Sequence, residues 1–252
     1  MRVQTLTLGL LVVWGWIVVG CWGSEDQGGA AAACGNDSIE THVVNEGDVM
    51  GFRNAMACAN QRIASTTTIE LKGDLTFSKQ GSPPEGYPNW FALYVHPYKE
   101  LTIRKSVASS APSGRVKLAV SEEAAGVPFN GNSHLGLGIF GVSGGGSLTL
   151  ENVTLQGGYQ HGSQTNAMGG SALYILKATV TLRNCLVVNN TADYGAIAIA
   201  GSADKPGKLN LHNTIITGNR AVHSSRGVIV RQPSSAGLSS TTVSFSVSGE
   251  TR

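Results

Sequence analysis

Three stretches of the sequence superpose without gaps: LTLENVTLQGG at 148–158, VTLRNCLVVNN at 180–190 and LNLHNTIITGN at 209–219. Successive copies begin 32 and 29 residues apart. Each copy alternates apolar and polar residues, which is typical of a β-strand with one buried face. A period of about 30 residues indicates repeated units that stack on one another and bury a shared core.

Turn-forming residues hold matched positions in the three copies. Asparagine and glycine tolerate the left-handed backbone conformation better than other residues do. We therefore expect each repeat to contain a strand, a sharp bend, a short strand and a second bend. The first bends are predicted at Asn152, Asn184 and Asn213, and the second bends at Gly158, Asn190 and Asn219.

A third strand follows a glycine in each unit. Stacking of three short strands per unit on their counterparts in the next unit predicts an all-β fold, a right-handed parallel β-helix with three short strands per rung. Less regular copies extend the pattern upstream, at 68–78, 100–106, 115–120 and 134–142. The third strands begin in GSALYI from 170, GAIAI from 195 and GVIV from 227.

A capping helix is predicted over 48–63, with Asp48 as its N-cap and an apolar face that includes Phe52. Such a helix would cover the open end of the stack, where strand edges are otherwise unpaired. The β-helix domain is therefore predicted to span 48–252, after an N-terminal segment at 24–47.

The C-terminal stretch at 238–252 resembles a partial rung without a cap. Two explanations stay open: the chain is truncated, or an oligomeric partner covers the uncapped C-terminal rung.

Composition narrows the functional classes. Charged residues make up 13% of the 252 residues, whereas an ordinary soluble domain has roughly 25%. The chain is too apolar to be disordered, and it lacks the enrichment in Glu, Lys and Ala that is typical of a helical bundle. Its net charge of +2 comes without a basic cluster, so nucleic acid is not an expected partner.

The N-terminus carries an uncharged apolar run over 6–22, the length of a signal-peptide core. Small residues at Cys21 and Gly23 fit a cleavage site, so a signal peptide over 1–23 and a secreted, extracellular protein are predicted. Two alternatives stay open: the run is an uncleaved anchor, or 18–21 is a bacterial lipobox and Cys21 is lipidated.

Removal of the signal would leave Cys34, Cys58 and Cys185 in an oxidising compartment. Three cysteines permit one disulfide, for which Cys34 and Cys58 are the natural pair, and its loop would stabilise the fold by roughly 3 kcal/mol. Cys185 holds a position that is apolar or small in the other repeats, so we expect a buried thiol that behaves as a small apolar residue.

Three asparagines begin glycosylation sequons: Asn36, Asn152 and Asn189. Asn152 and Asn189 also belong to the repeats, so a purely structural role is the alternative for them.

The run GFRNAMACANQRI at 51–63, followed by TTTIELKGDLTF at 66–77, resembles the opening of many secreted pectate-lyase-like β-helix proteins. The glycine-led strands, paired with LQGG, VVNN and ITGN, are similar to the Gly-Gly-Ala-Ile and Phe-x-x-Asn repeats of chlamydial polymorphic outer-membrane proteins. The resemblance covers most of 40–247. It implies a secreted β-helix whose relatives include adhesins, wall-associated proteins and carbohydrate-active enzymes.

One column of side chains is a candidate catalytic site. Glu151, Arg183 and His212 are predicted to share an outward position on consecutive strands. Arg183 would bind a uronate carboxylate, and His212 would abstract a proton. The alternative is a set of surface ion pairs, each worth about 0.2–1 kcal/mol. A second column runs beside it, at Thr149, Thr181 and Asn210.

Aromatic residues after the Pro/Gly-rich stretch at 79–90 are a candidate sugar-stacking cluster: Trp90, Phe91, Tyr94 and Tyr98, with His96. The alternative is that these rings seal a loop onto the stack.

Signatures of chemistry are otherwise missing from the sequence. It has no CxxC, HExxH or Cys/His cluster for zinc, and none of the Asp-Asp, Asn-Thr-Asp or Gly-His-Gly runs expected of polygalacturonase-like hydrolases. We predict no metal and no cofactor. The favoured function is a non-catalytic β-helix protein for adhesion or for contact with a cell wall, an extracellular polysaccharide or a cell-surface glycan. The alternative is a divergent polysaccharide lyase, or a related enzyme, that acts on uronic-acid polymers.

Overall fold

Parallel β-sheets make up most of the structure, which is a computed structural model. It describes Cys34, residues 39–61, 66–78, 91–109, 111–125, 136–161 and 169–222, and two further strands at 229–232 and 241–246. Residues 34–252 form one unit. The predicted signal peptide at 1–23 and the sequon at Asn36 lie outside the described residues.

Strands in the described ranges are short, and two helices accompany them. In chain order the elements are β1 (Ile39–Val44), α1 (Val49–Gln61), β2 (Thr66–Leu71), β3 (Leu75–Phe77), β4 (Phe91–Val95), β5 (Glu100–Lys105), β6 (Val116–Val120), α2 (Glu122–Ala125), β7 (Gly138–Ser143), β8 (Ser147–Glu151), β9 (Val153–Gln156), β10 (Tyr159–Gln160), β11 (Leu173–Leu176), β12 (Thr179–Arg183), β13 (Leu186–Val188), β14 (Thr191–Ala192), β15 (Ile197–Ala200), β16 (Gly207–His212), β17 (Ile215–Thr217), β18 (Arg220–Ala221), β19 (Ile229–Gln232) and β20 (Thr241–Ser246).

The strands form four sheets in which every described pair is parallel. Sheet A has the order β1-β2-β5-β8-β12-β16-β20, sheet B has β3-β6-β9-β13-β17, sheet C has β4-β7-β11-β15-β19, and sheet D has β10-β14-β18. From β7 onward the chain visits the sheets in the order C, A, B, D and then returns to C. Each repeat therefore adds one strand to every sheet, beside the equivalent strand of the preceding repeat.

For the three clear repeats, the prediction of three strands per repeat was wrong by one. Sheet D supplies each of these three repeats with a fourth strand of only two residues, for example Tyr159–Gln160 and Thr191–Ala192. A two-residue strand has no apolar periodicity of its own, so sequence patterns do not reveal it.

Sheet A buries one face, along two apolar rows that run across its strands. A register slip of one residue would turn both rows to solvent, so the burial specifies the pairing. Full burial of each leucine or valine stabilises the fold by roughly 1.5–3 kcal/mol. The rows are Leu148, Val180 and Leu209, and Leu150, Leu182 and Leu211, all of them buried.

Helix α1 covers one end of this core. Its first turn is capped by Asp48, whose Oδ1 accepts a hydrogen bond from the N–H of Gly51 at 2.7 Å. Phe52 is fully buried, and its ring centroid lies 5.8 Å from that of Phe77 in β3. The helix also packs against β1, β2 and β4.

The first bend of each repeat occurs at the asparagine named from the sequence. Asn152, Asn184 and Asn213 have φ angles of 56°, 52° and 47°. Left-handed backbone costs most residues roughly 1–2 kcal/mol, and asparagine tolerates it.

The second bend lies one residue earlier than predicted. Its left-handed residues are Gly157, Asn189 and Gly218, not Gly158, Asn190 and Asn219. The shift has a physical reason, because Asn190 is fully buried and uses its side chain for hydrogen bonds between repeats.

The fully buried Asn190 and the half-buried Asn219 form a ladder across the repeats. The Oδ1 of Asn190 accepts from the N–H of Gly158 at 2.9 Å, and its Nδ2 donates to the carbonyl of Leu155 at 3.1 Å. Its Nδ2 also donates to the Oδ1 of Asn219 at 2.9 Å. Asn219 in turn donates to the carbonyl of Val187 at 2.8 Å. The ladder satisfies backbone groups at the bend, which would otherwise be buried without partners.

Candidate functional site

The solvent face of sheet A carries the charged residues singled out from the sequence. Parallel pairing brings seven register-matched positions into one line across the sheet, and five of these carry ionisable side chains. We call these five the charge row: Glu70, Arg104, Glu151, Arg183 and His212. Val43 and Ser246 hold the two end positions of the same line.

Opposite charges alternate along the charge row and pair with each other. Arg104 donates to Oε1 of Glu70 from Nη2 at 2.6 Å and from Nε at 3.1 Å. The second oxygen of Glu70 accepts from the hydroxyl of Ser106 at 3.3 Å. Arg183 and Glu151 approach to 3.6 Å between Nε and Oε1. The row thus contains two surface ion pairs, Arg104–Glu70 and Arg183–Glu151, each worth up to about 1 kcal/mol.

Glu151, Arg183 and His212 do lie on adjacent strands, with Arg183 between the other two. The Arg183 side chain is 51% exposed and that of Glu151 is 32% exposed. A uronate carboxylate would have to compete with Glu151 for the guanidinium. The three residues follow one another along a single register line of the sheet.

A second line of register-matched residues runs parallel to the charge row, two residues earlier on each strand. We call it the threonine row: Thr41, Thr68, Thr102, Thr149, Thr181 and Asn210. All six side chains are half-buried or exposed. The Nδ2 of Asn210 donates to Oγ1 of Thr181 at 3.2 Å. Only the last three residues of this row could be aligned from the sequence, because the upstream repeats are irregularly spaced.

A histidine–aspartate pair lies away from this face, next to sheet D. Nδ1 of His161 lies 2.6 Å from Oδ1 of Asp193. The Asp193 side chain is fully buried, whereas that of His161 is 34% exposed. The two residues are 32 residues apart, the same spacing as the first two repeats. This matched spacing is the feature of the sequence from which the contact between His161 and Asp193 could have been predicted.

Cys185 is fully buried in the bend between β12 of sheet A and β13 of sheet B. Its thiol lies 3.3 Å from the carbonyl oxygens of Leu150 and Arg183. Burial raises the pKa of the Cys185 thiol to about 11, because the thiolate would lose its hydration. A thiol with such a pKa and no exposure is a poor nucleophile.

The aromatic residues near the start of sheet C are mostly not available to a sugar. Phe91 and Tyr94 belong to β4 and are buried, with ring centroids 5.8 Å apart. Phe91 also stacks on Tyr174 of the next strand but one, at 5.8 Å. Tyr98 differs from them: it is 70% exposed and has a φ angle of 61°. Of the proposed sugar-stacking cluster, Phe91 and Tyr94 are therefore core, His96 is half-buried and Tyr98 is exposed, whereas Trp90 lies outside the described residues.

Cys34 and Cys58 form a disulfide, with Cα atoms 5.4 Å apart, that ties the start of the described chain to α1. Of the sequons, Asn152 is half-buried and Asn189 is exposed, and both lie in left-handed bends. Their glycosylation stays a prediction.

Within the described ranges, no three His, Cys, Asp or Glu residues come together as a metal site would require. No described helix has the length and apolar character that crossing a bilayer demands. No protein-family model matches the chain, and neither a curated protein nor a solved structure matches it.

Proposed function

We propose that the protein is a secreted, non-catalytic right-handed parallel β-helix whose sheet A face contacts an extracellular polysaccharide or cell-surface glycan, in adhesion or in a cell wall. Related adhesins and wall proteins are implied by the resemblance to pectate-lyase-like proteins and to chlamydial polymorphic outer-membrane proteins.

The order in which the chain visits its sheets supports the β-helix. A chain that passes through C, A, B and D and adds one parallel strand to each sheet per repeat has the connectivity of a helical coil. Crossovers between parallel strands of one sheet are right-handed in about 98% of cases, which supports the proposed hand. The buried rows of sheet A would then line the interior of the coil.

Secretion is supported by the disulfide between Cys34 and Cys58, since such bonds persist in oxidising compartments. It fits the apolar run at 6–22 and the three sequons. Association through the C-terminal rung, if a partner covers it, would extend the same face from one copy to the next.

The observation that carries the function is the layout of polar side chains on sheet A. They form two straight rows, and the ionic groups of the charge row neutralise one another along it. A polymer can lie across such a face and touch many strands, whereas bond cleavage needs acid, base and binding groups around one bond.

The alternative, a divergent lyase for uronic-acid polymers, rests on Arg183 and His212 being register neighbours. It is less favoured because Glu151 lies 3.6 Å from Arg183, on the side away from His212, and occupies the cation that would bind the uronate.

Binding to immobilised polysaccharides and to a glycan array tests the proposal. The wild-type protein should be retained by at least one polymer. Thr149→Arg, which places a long charged side chain at the centre of the sheet A face, should abolish retention. Thr217→Arg makes the same change at an exposed position of sheet B and should leave retention intact. No retention of a folded protein, or equal loss in both variants, would contradict the proposal.

A further inference from the structure

We propose that the ligand of the sheet A face is an uncharged, extended polysaccharide whose chain lies along the threonine row and crosses one strand after another. This inference rests on the proposed function and adds the ligand class: a neutral polymer, not a polyuronate.

The chemistry of the threonine row matches that of a sugar chain. Each threonine offers a hydroxyl that both donates and accepts, beside a methyl group. A pyranose likewise presents hydroxyls at its edge and C–H groups on its faces. Threonine is β-branched and stiff at χ1, so holding its side chain against a ligand costs little rotamer entropy.

The geometry of the row suits a polymer. Strands in a sheet are about 4.8 Å apart, so the six positions from Thr41 to Asn210 extend over about 24 Å. Ser244 on β20 holds the next register position. Weak contacts repeated at this interval add up along one chain, because each new contact is intramolecular once the first has formed.

Hydroxyl groups are densest where β8 and β12 lie side by side. Ser147 and Thr179 are register partners, and so are Thr149 and Thr181. These four residues form a block of two rows, about 7 Å apart along the strands. Thr181 accepts a hydrogen bond from Asn210, so toward a ligand its hydroxyl acts as a donor.

The neighbouring charge row disfavours an acidic polymer. Its carboxylates recur on every second strand, at Glu70 and Glu151, which are about 10 Å apart. A polyuronate along the row would meet these carboxylates as often as it met Arg104 and Arg183. The two arginines already pair with them, at 2.6 and 3.6 Å. A neutral chain meets no such repulsion and need not break an ion pair.

The test compares retention on neutral and acidic polymers, at low and high salt. Microcrystalline cellulose, xyloglucan and mixed-linkage β-glucan serve as neutral probes, and pectate and alginate as acidic ones. The double variant Thr149→Val/Thr181→Val removes two hydroxyls while keeping the branched shape. Thr217→Val on sheet B is the matched control, and melting temperatures establish that all three proteins are folded.

The proposal predicts retention on a neutral polymer that is insensitive to salt, about ten-fold weaker in the double variant, and unchanged in the control. A ten-fold change is expected from the loss of two hydrogen bonds. Salt-sensitive retention on acidic polymers alone would overturn the proposal and leave the proposed function standing. Neutral retention that the double variant does not weaken would also overturn it. No retention on any polymer would contradict both.

Discussion

The carboxylate of Asp193 is fully buried and lies 2.6 Å from Nδ1 of His161 in the preceding repeat. Among the described residues no other acidic residue is buried. Burial of a carboxylate is costly unless hydrogen bonds compensate for the water that it loses. The pair therefore links two adjacent repeats at sheet D.

Replacing His161 with alanine should destabilise the protein, because Asp193 then loses a hydrogen-bond donor inside the core. We expect the free energy of unfolding to fall by about 2–4 kcal/mol. Urea denaturation measures the change. His212→Ala, on the solvent face of sheet A, is the control and should change stability by less than about 1 kcal/mol. Similar losses in the two variants would show that the buried pair has no special role.

The bend at Asn213 should tolerate glycine better than leucine. With φ at 47°, a leucine there pays a steric penalty of about 1–2 kcal/mol, whereas glycine adopts this conformation readily. Thermal unfolding should therefore show a melting temperature several degrees lower for Asn213→Leu than for Asn213→Gly. Equal melting temperatures would argue against a left-handed bend at this position.

The asparagine ladder should be more sensitive to mutation than the bend beside it. Asn190→Leu removes the partners of the Gly158 N–H and of the Leu155 carbonyl, and it should cost about 2–4 kcal/mol. Asn189→Gly keeps the left-handed backbone and should be close to neutral. Chemical denaturation of both variants tests this. A larger loss for Asn189→Gly than for Asn190→Leu would contradict the assignment.

The buried thiol of Cys185 should make stability fall at alkaline pH. Its pKa in the folded protein, about 11, lies above the ordinary value of 9.0, so the folded state holds the proton more tightly. This contribution is complete below pH 9 and declines as the pH rises from 9 towards 11. Wild type should lose about 2 kcal/mol more than Cys185→Ala between pH 8 and pH 10.5. Urea unfolding at the two pH values measures the difference, and parallel curves for the two proteins would contradict it.

Repeats that superpose without gaps could be aligned from the sequence, and their register in sheet A follows from that alignment. The pairing of Arg183 with Glu151 and His212 is an example, since all three copies keep the same alternation up to the bend. The position of the second bend could not be predicted. Positions 189 and 190 are both asparagine, so the residue type does not distinguish them. Asn190 is buried and its side chain makes hydrogen bonds to the next repeat, and the left-handed backbone conformation therefore falls at Asn189.

Strand β1 was also missed, within a stretch assigned to the N-terminal segment. Its alternate residues Glu40 and His42 align with the buried side of sheet A, in register with Thr67 and Ile69 of β2. Nε2 of His42 lies 3.0 Å from Oε2 of Glu40. Strands are identified in a sequence by alternating apolar residues, and the polar residues at these positions interrupt that alternation. A strand at the end of a sheet tolerates them because its inner face need not be fully apolar.

In the proposed function, the sheet A face holds a glycan without cleaving it. Its most direct test is a turnover assay on protein that begins at Ser24, incubated with pectate, alginate and glycosaminoglycans, with and without calcium. The ultraviolet absorbance of unsaturated uronides reports cleavage. We predict no increase in absorbance with any substrate, from a protein shown to be folded and rich in β-structure. An increase that Arg183→Ala abolishes would contradict the account and place lyase chemistry on the charge row.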